Sequence, residues 1–289
     1  MESRPLESTT RNVMKSTFAK LEKHLNGDVL VLFGGIDDGI ENLVKDLIED
    51  LKKDTKINHD TLYVILTTNG GVVTPIQKME LVFRHFYREV NFIVPDYAYS
   101  AGTVMCLSGD NIYMNYFSNL GPIDPQVKTK DGKFVSALGY LDKIGALITK
   151  AQNGTISNAE FIILKDFDLA ELRSYEMAKE LTIDLLTKWL VKYKFKNWIK
   201  HSNGTPVTMA EKNKRAEEIA NKLSDNSNIW KSHGRPISME TLKNELKLQI
   251  QDIDSDVKLS NLLNSYYKCL TEYIRKNNYG HFFQTRKFL

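Results

Sequence analysis

Between Asp28 and Tyr116, short apolar runs alternate with segments of helical periodicity, a pattern that points to an open α/β sheet. Asp28 to Phe33 is a compact Val- and Leu-rich run closed by Gly34-Gly35, as expected of a strand buried on both faces. From Gly39 to Lys52, Ile40, Leu43, Val44, Leu47, Ile48 and Leu51 recur at helical spacing, with acids and lysines opposite. The pattern repeats with a strand over Thr61 to Leu66, a turn at Asn69-Gly70-Gly71 and a helix over Thr74 to Tyr87. A third strand, Val90 to Val94, precedes a helix from Ala101 to Ser108 and a short strand over Asn111 to Tyr116. Strands separated by helices must pair in parallel through crossovers, because no hairpin joins parallel neighbours.

Beyond about residue 137 helical periodicity dominates, over Asp168 to Lys194, Thr208 to Leu223, Ser238 to Ile250 and Val257 to Lys276. Thr208 and Ser238 read as helix N-caps, the first with Glu211 in the capping-box position. The sequence therefore predicts an N-terminal leader and helix over 1–25, an α/β core over 26–200 and a helical C-terminal extension over 201–289. Asp225 to Pro236 is the expected loop within the helical part.

Composition excludes several classes. With 42% hydrophobic and 26% charged residues the chain is expected to fold as a globular protein. A net charge of +3 is too small to argue for nucleic acid, and Lys188 to Lys200, locally basic and aromatic, reads as packing rather than a nucleic-acid or membrane surface. Cys106 and Cys269 form no metal-binding or disulfide pattern, which fits a reducing compartment. No apolar stretch has the length of a signal-peptide core or a membrane span, so a cytoplasmic location is expected.

In an open parallel sheet, ligands bind at the edge lined by the loops that leave the carboxyl ends of the strands. Gly34-Gly35, Asn69-Gly70-Gly71 and Pro95 to Ser100 all leave such ends and should share a cleft. A serine between a strand and a first helical turn presents its hydroxyl there, with unpaired backbone N–H groups behind it. Paired glycines let the backbone approach a substrate carbonyl closely. Ser100 is thus the candidate nucleophile, and Gly70, Gly71 and Ala101 supply the candidate oxyanion hole.

Asn69-Gly70-Gly71 followed by Ser100-Ala101-Gly102-Thr103 resembles the Gly-Gly and nucleophile turns of ClpP-class peptidases. Together with Leu120-Gly121-Pro122-Ile123-Asp124-Pro125-Gln126 and Trp230-Lys231-Ser232-His233-Gly234-Arg235, the sequence resembles the serine dehydrogenase proteinase family, relatives of signal peptide peptidase SppA. The resemblance implies a ClpP/crotonase-like spiral core and homo-oligomers. It also implies an extended peptide or protein substrate added as a strand beside the Gly-Gly turn, with an unfoldase among the partners such a fold allows.

No histidine lies between Ser100 and His201, so the ClpP triad is not present in its usual order. SppA-like enzymes use a lysine, and Lys143, among apolar neighbours, is its nearest match, with Lys128, Lys130 and Lys133 in a polar loop as weaker candidates. His233 is an alternative base and Asp124 an alternative orienter. The expected function is a serine endopeptidase with a Ser100/Lys143 dyad that needs no cofactor or metal. A catalytically silent peptide-binding module is the second reading, and crotonase-like acyl-coenzyme A chemistry the third. No Gly-x-Gly-x-x-Gly follows a strand, so no dinucleotide cofactor is expected.

Overall fold

The computed structural model describes residues 5–54, 57–123, 126–128, 134–225, 229–232 and 234–288. Helix α1 (Pro5–Leu25) leads into strand β1 (Asp28–Phe33), followed by α2 (Ile40–Lys52), β2 (Thr61–Thr67), α3 (Thr74–Phe86) and β3 (Glu89–Val94). The two-residue strand β4 (Tyr97–Ala98) precedes α4 (Ala101–Leu107), β5 (Asn111–Met114) and β6 (Asn119–Leu120). Each long element lies within a residue or two of its sequence expectation, because continuous apolar strands and periodic helices leave little freedom in register.

β1, β2, β3 and β5 form a parallel ladder, Val29 opposite Tyr63, Val64 opposite Phe92 and Ile93 opposite Tyr113. Successive side chains alternate between the faces. Val29, Val31, Ile65 and Ile93 pack with Met14, Phe18 and Leu21 of α1. Leu30, Leu32, Leu62, Val64, Leu66 and Phe92 point the other way and are equally buried, as are Val44, Leu47, Ile48 and Leu51 of α2 and Ile76, Met79 and Phe83 of α3. Burial on both faces explains why these strands read as unbroken apolar runs.

The chain divides differently from the sequence boundaries: one compact unit comprises residues 1–121 and 236–289, the other residues 122–235. Of the stretch expected to be a helical extension, residues 236–289 return to the first unit. There β9 (Ile237–Ser238) pairs with β6, β10 (Gln251–Asp252) with β5, and β11 (Phe282–Gln284) with β1 in antiparallel register. α10 (Val257–Asn277) adds Leu259, Leu263, Tyr266 and Leu270 to the core that α1 lines. Strands of two or three residues carry no readable period, which is why they are invisible in the sequence. Ser238 caps α9 (Met239–Asn244), which is shorter than expected.

The second unit holds a β7–β8 hairpin (Gln126–Lys128, Phe134–Ser136) and helices α5 (Ala137–Gln152), α6 (Asn158–Lys165), α7 (Leu169–Trp189) and α8 (Met209–Ser224). The expected capping box at Thr208 and Glu211 is formed. Trp189 and Tyr193 are buried, so packing accounts for two of the aromatics in the basic stretch.

An ion cluster fastens the last strand to the first. Arg286 Nη1 lies 2.5 Å from Asp28 Oδ1 and 2.9 Å from Glu22 Oε1, while Tyr87 donates its hydroxyl to Asp28 Oδ2 at 2.7 Å. Asp28 is completely buried, and Lys52 Nζ stands 3.5 Å from it. Burial pushes the Glu22 carboxyl above its ordinary value, against the pull of Arg286.

Candidate active site

Ser100 is the N-cap of α4 and has φ 51° and ψ −113°, a left-handed backbone that a side chain with a Cβ rarely adopts. Such a conformation costs about 1–3 kcal/mol and persists only where the surroundings enforce it. The constraints are visible. Tyr99 N–H donates to Thr68 O (2.9 Å) and Thr68 N–H to Tyr97 O (3.1 Å), which locks the segment before Ser100 to the end of β2. On the far side, every residue of α4 is buried. Thr103 Oγ1 lies 2.9 Å from Ala98 O and 2.8 Å from Gly121 O and accepts the Gly121 N–H at 3.0 Å. Arg84 reaches Ser108 O and Asp110 just past the end of α4. The turn is held at both ends, and its strain cannot relax.

The Gly-Gly turn lies against it. A Cβ added to Gly70 would stand 2.9 Å from Ser100 Cβ and 2.7 Å from Tyr99 O, so only glycine permits this approach. The two glycines differ in their hydrogen bonding. Gly70 is buried with φ +100°, and its N–H is taken by Thr68 Oγ1 at 3.0 Å. Gly71 is exposed with φ +146° and forms a parallel bridge with Ile36 in which Ile36 bonds Gly70 O and Val72 N. In such a bridge the central residue directs its own N–H and carbonyl away from its partner. Among the described residues, Gly71 N–H and Ala101 N–H make no hydrogen bond, and neither does Ser100 Oγ. Ser100 is only 6% exposed.

Gly71→Ala would place a Cβ 2.2 Å from Ile36 O. It is expected to break the Ile36 bridge and lower stability by about 2–3 kcal/mol, combining a steric clash with a positive-φ penalty; chemical denaturation checks this. A variant as stable as the parent would contradict the geometry.

Lys143 lies on α5 in the second unit, exposed but bordering an apolar hollow that Tyr140, Ile144, Leu147 and Phe167 also line. Asp124, His233, Lys130 and Lys133 lie outside the described residues, as does the side chain of Lys128. Among the described residues no cluster of three His, Cys, Asp or Glu could hold a metal, and no helix is long and apolar enough to cross a membrane.

Sequence reasoning missed the supporting residues. Thr68 and Thr103 set the two turns, and only the threonine two residues before Gly70 gave a readable signal, that of a hydroxyl turn. Also missed was a polar group where β3 ends. Thr67 Oγ1 donates to Tyr267 OH at 3.1 Å, Tyr267 OH faces Asp96 Oδ2 at 3.4 Å, and Tyr97 stacks on Tyr99 with ring centres 5.1 Å apart. Burial pushes the Asp96 carboxyl above its usual range.

Comparison with known proteins adds context. Two uncharacterized proteins of Methanocaldococcus jannaschii are similar, one 31% identical over 41% of this chain and 44% of its own length. The other is 26% identical over 65% of this chain and 51% of its own, so the chain spans about half the length of the curated relatives it matches. Among solved structures, two variants of 1510-N, a membrane-bound stomatin-specific protease, align with a TM-score of 0.46 and 13% identity. One covers 81% of this chain and 83% of its own; the other, in complex with a substrate peptide, covers 77% and 73%. The family model for ClpP-like SDH-type serine proteinases matches residues 33–182, from the last residue of β1 past the Gly-Gly and Ser100 turns into α7, and the chain belongs to that family.

Proposed function

We propose that this protein is a serine endopeptidase in which Ser100 attacks the peptide carbonyl and the N–H groups of Gly71 and Ala101 hold the resulting oxyanion. The observation that carries this reading is the strained strand-to-helix turn at Ser100 beside two unbonded N–H groups. A nucleophile on such a turn is presented without help from its own backbone bonds, and preorganised donors act where charge develops. Gly70 has a different role from Gly71: with its N–H taken, it provides clearance for Ser100. The outward-facing backbone at Gly71 suits an extended peptide lying alongside it, its scissile carbonyl reaching the Gly71 N–H.

Two side chains compete to take the proton from Ser100. A lysine base needs desolvation to be neutral at ordinary pH, and Lys143, though exposed, borders an apolar hollow with Tyr140, Ile144 and Leu147, which supports it as the base. His233 with Asp124 is the alternative base and orienter.

A fluorophosphonate serine probe tests the nucleophile: the parent is expected to be labelled at Ser100, and labelling elsewhere or not at all overturns the assignment. For the base, Lys143→Ala should slow peptide turnover about 1000-fold or more and His233→Ala less than tenfold. The reverse pair of results would make His233 the base.

A further inference from the structure

Asp96, half-buried just past the end of β3, is a carboxylate with no lysine, arginine or histidine paired to it among the described residues. Its one side-chain partner there is Tyr267 OH, 3.4 Å from Oδ2, and Oδ1 makes no hydrogen bond. Three partly exposed tyrosines of the same unit gather round it: Tyr267 on α10, and Tyr97 and Tyr99, whose stacked rings lie 22° from parallel. Burial first, and then the Asp96 charge, push the Tyr97 and Tyr99 hydroxyls above their ordinary value. The group is tied to both turns of the candidate active site. Tyr99 directly precedes Ser100. Thr67, which donates to Tyr267, directly precedes Thr68, whose backbone bonds Tyr97 and Tyr99 and whose hydroxyl takes the Gly70 N–H.

We propose that Asp96, Tyr97 and Tyr99 form a specificity subsite for a lysine or arginine side chain of the peptide, a reading that rests on Ser100 being the nucleophile. A carboxylate withdrawn from water among aromatic rings is unfavourable until a cation pairs with it. The substrate's ammonium or guanidinium group supplies that cation at Oδ1, and the faces of the tyrosine rings attract the same charge. An apolar side chain of equal length would leave the carboxylate both dehydrated and unpaired, and an acidic one would meet like charge, so the discrimination is large. Tyr267 is a positioning residue here, since Thr67 holds it and it holds Oδ2. Because an extended peptide alternates its side chains between two sides, a single position near the scissile bond falls on this cluster.

Digestion of a proteome-derived peptide library, with cleavage sites read by mass spectrometry, tests this. Lysine and arginine are expected to be enriched about fivefold or more at one position within roughly three residues of the scissile bond. Asp96→Asn should remove most of that enrichment, whereas Asp60→Asn, at an exposed acid on the opposite edge where β2 begins, should leave it as it was. No enrichment in the parent, or enrichment that Asp96→Asn does not change, overturns the subsite. A second measurement needs no turnover. Ser100→Ala should bind a fluorescein-labelled decapeptide of alanine and serine with two central lysines about tenfold more tightly than the same peptide with two norleucines, read by anisotropy. Binding that is undetectable, or equal for the two, also overturns it. Failure of the peptidase reading looks different: the parent then neither cleaves the library nor takes the fluorophosphonate label, while the preference for lysine in binding persists.

Discussion

Ser100→Gly is expected to raise the thermal unfolding midpoint while abolishing labelling by a serine-directed probe. At φ 51° the serine backbone carries about 1–3 kcal/mol of strain. Glycine adopts that conformation freely but adds about 0.5–1 kcal/mol of unfolded-state entropy. The net gain, on the order of 1 kcal/mol, corresponds to roughly 2–4 °C in a chain of this size. Ser100→Ala is the control, because it also removes the hydroxyl but keeps a Cβ at positive φ. It should be equally unlabelled, with a midpoint close to that of the parent. If both variants melt alike, the turn is not strained in the way described; if Ser100→Ala retains turnover, Ser100 is not the nucleophile.

The second large effect concerns stability alone. Arg286→Ala leaves the Asp28 carboxylate in a site with no exposure, facing only Tyr87 and a lysine at 3.5 Å. Removing one member of a buried ion pair typically costs about 3–5 kcal/mol, because the other charge stays buried. The midpoint should fall by roughly 10 °C in thermal denaturation. Asp28→Asn combined with Arg286→Met should recover much of the loss, since a neutral pair has no charge to strand. A single variant within about 0.5 kcal/mol of the parent would show that this cluster does not hold the last strand.

The sequence was most informative where physics repeats. Asp28 to Phe33 could only be a two-face-buried strand, and the Gly-Gly and Ser100 turns had to share a sheet edge once the strands were parallel. Which glycine keeps its N–H depends on a single hydroxyl, that of Thr68, and periodicity is silent on hydrogen bonds. The base was not legible, because sequence neighbours do not say what a side chain meets in space: Lys143 is exposed yet borders an apolar hollow on α5. The return of residues 236–289 to the first unit was hidden for a similar reason. It is made by two- and three-residue strands and by a contact between Asp28 and Arg286, 258 positions apart.

That return also bears on the order of events during synthesis. β1 is among the first elements made, yet its outer edge stays unpaired until Phe282 to Gln284 arrive to cover it. Throughout elongation the nascent chain therefore presents an apolar strand edge of the kind that seeds edge-to-edge aggregation, and its partner comes last. A protein built this way depends on whatever shields Val29 to Phe33 while the ribosome is still at work. Its yield should respond to chaperone supply more sharply than its final stability would suggest.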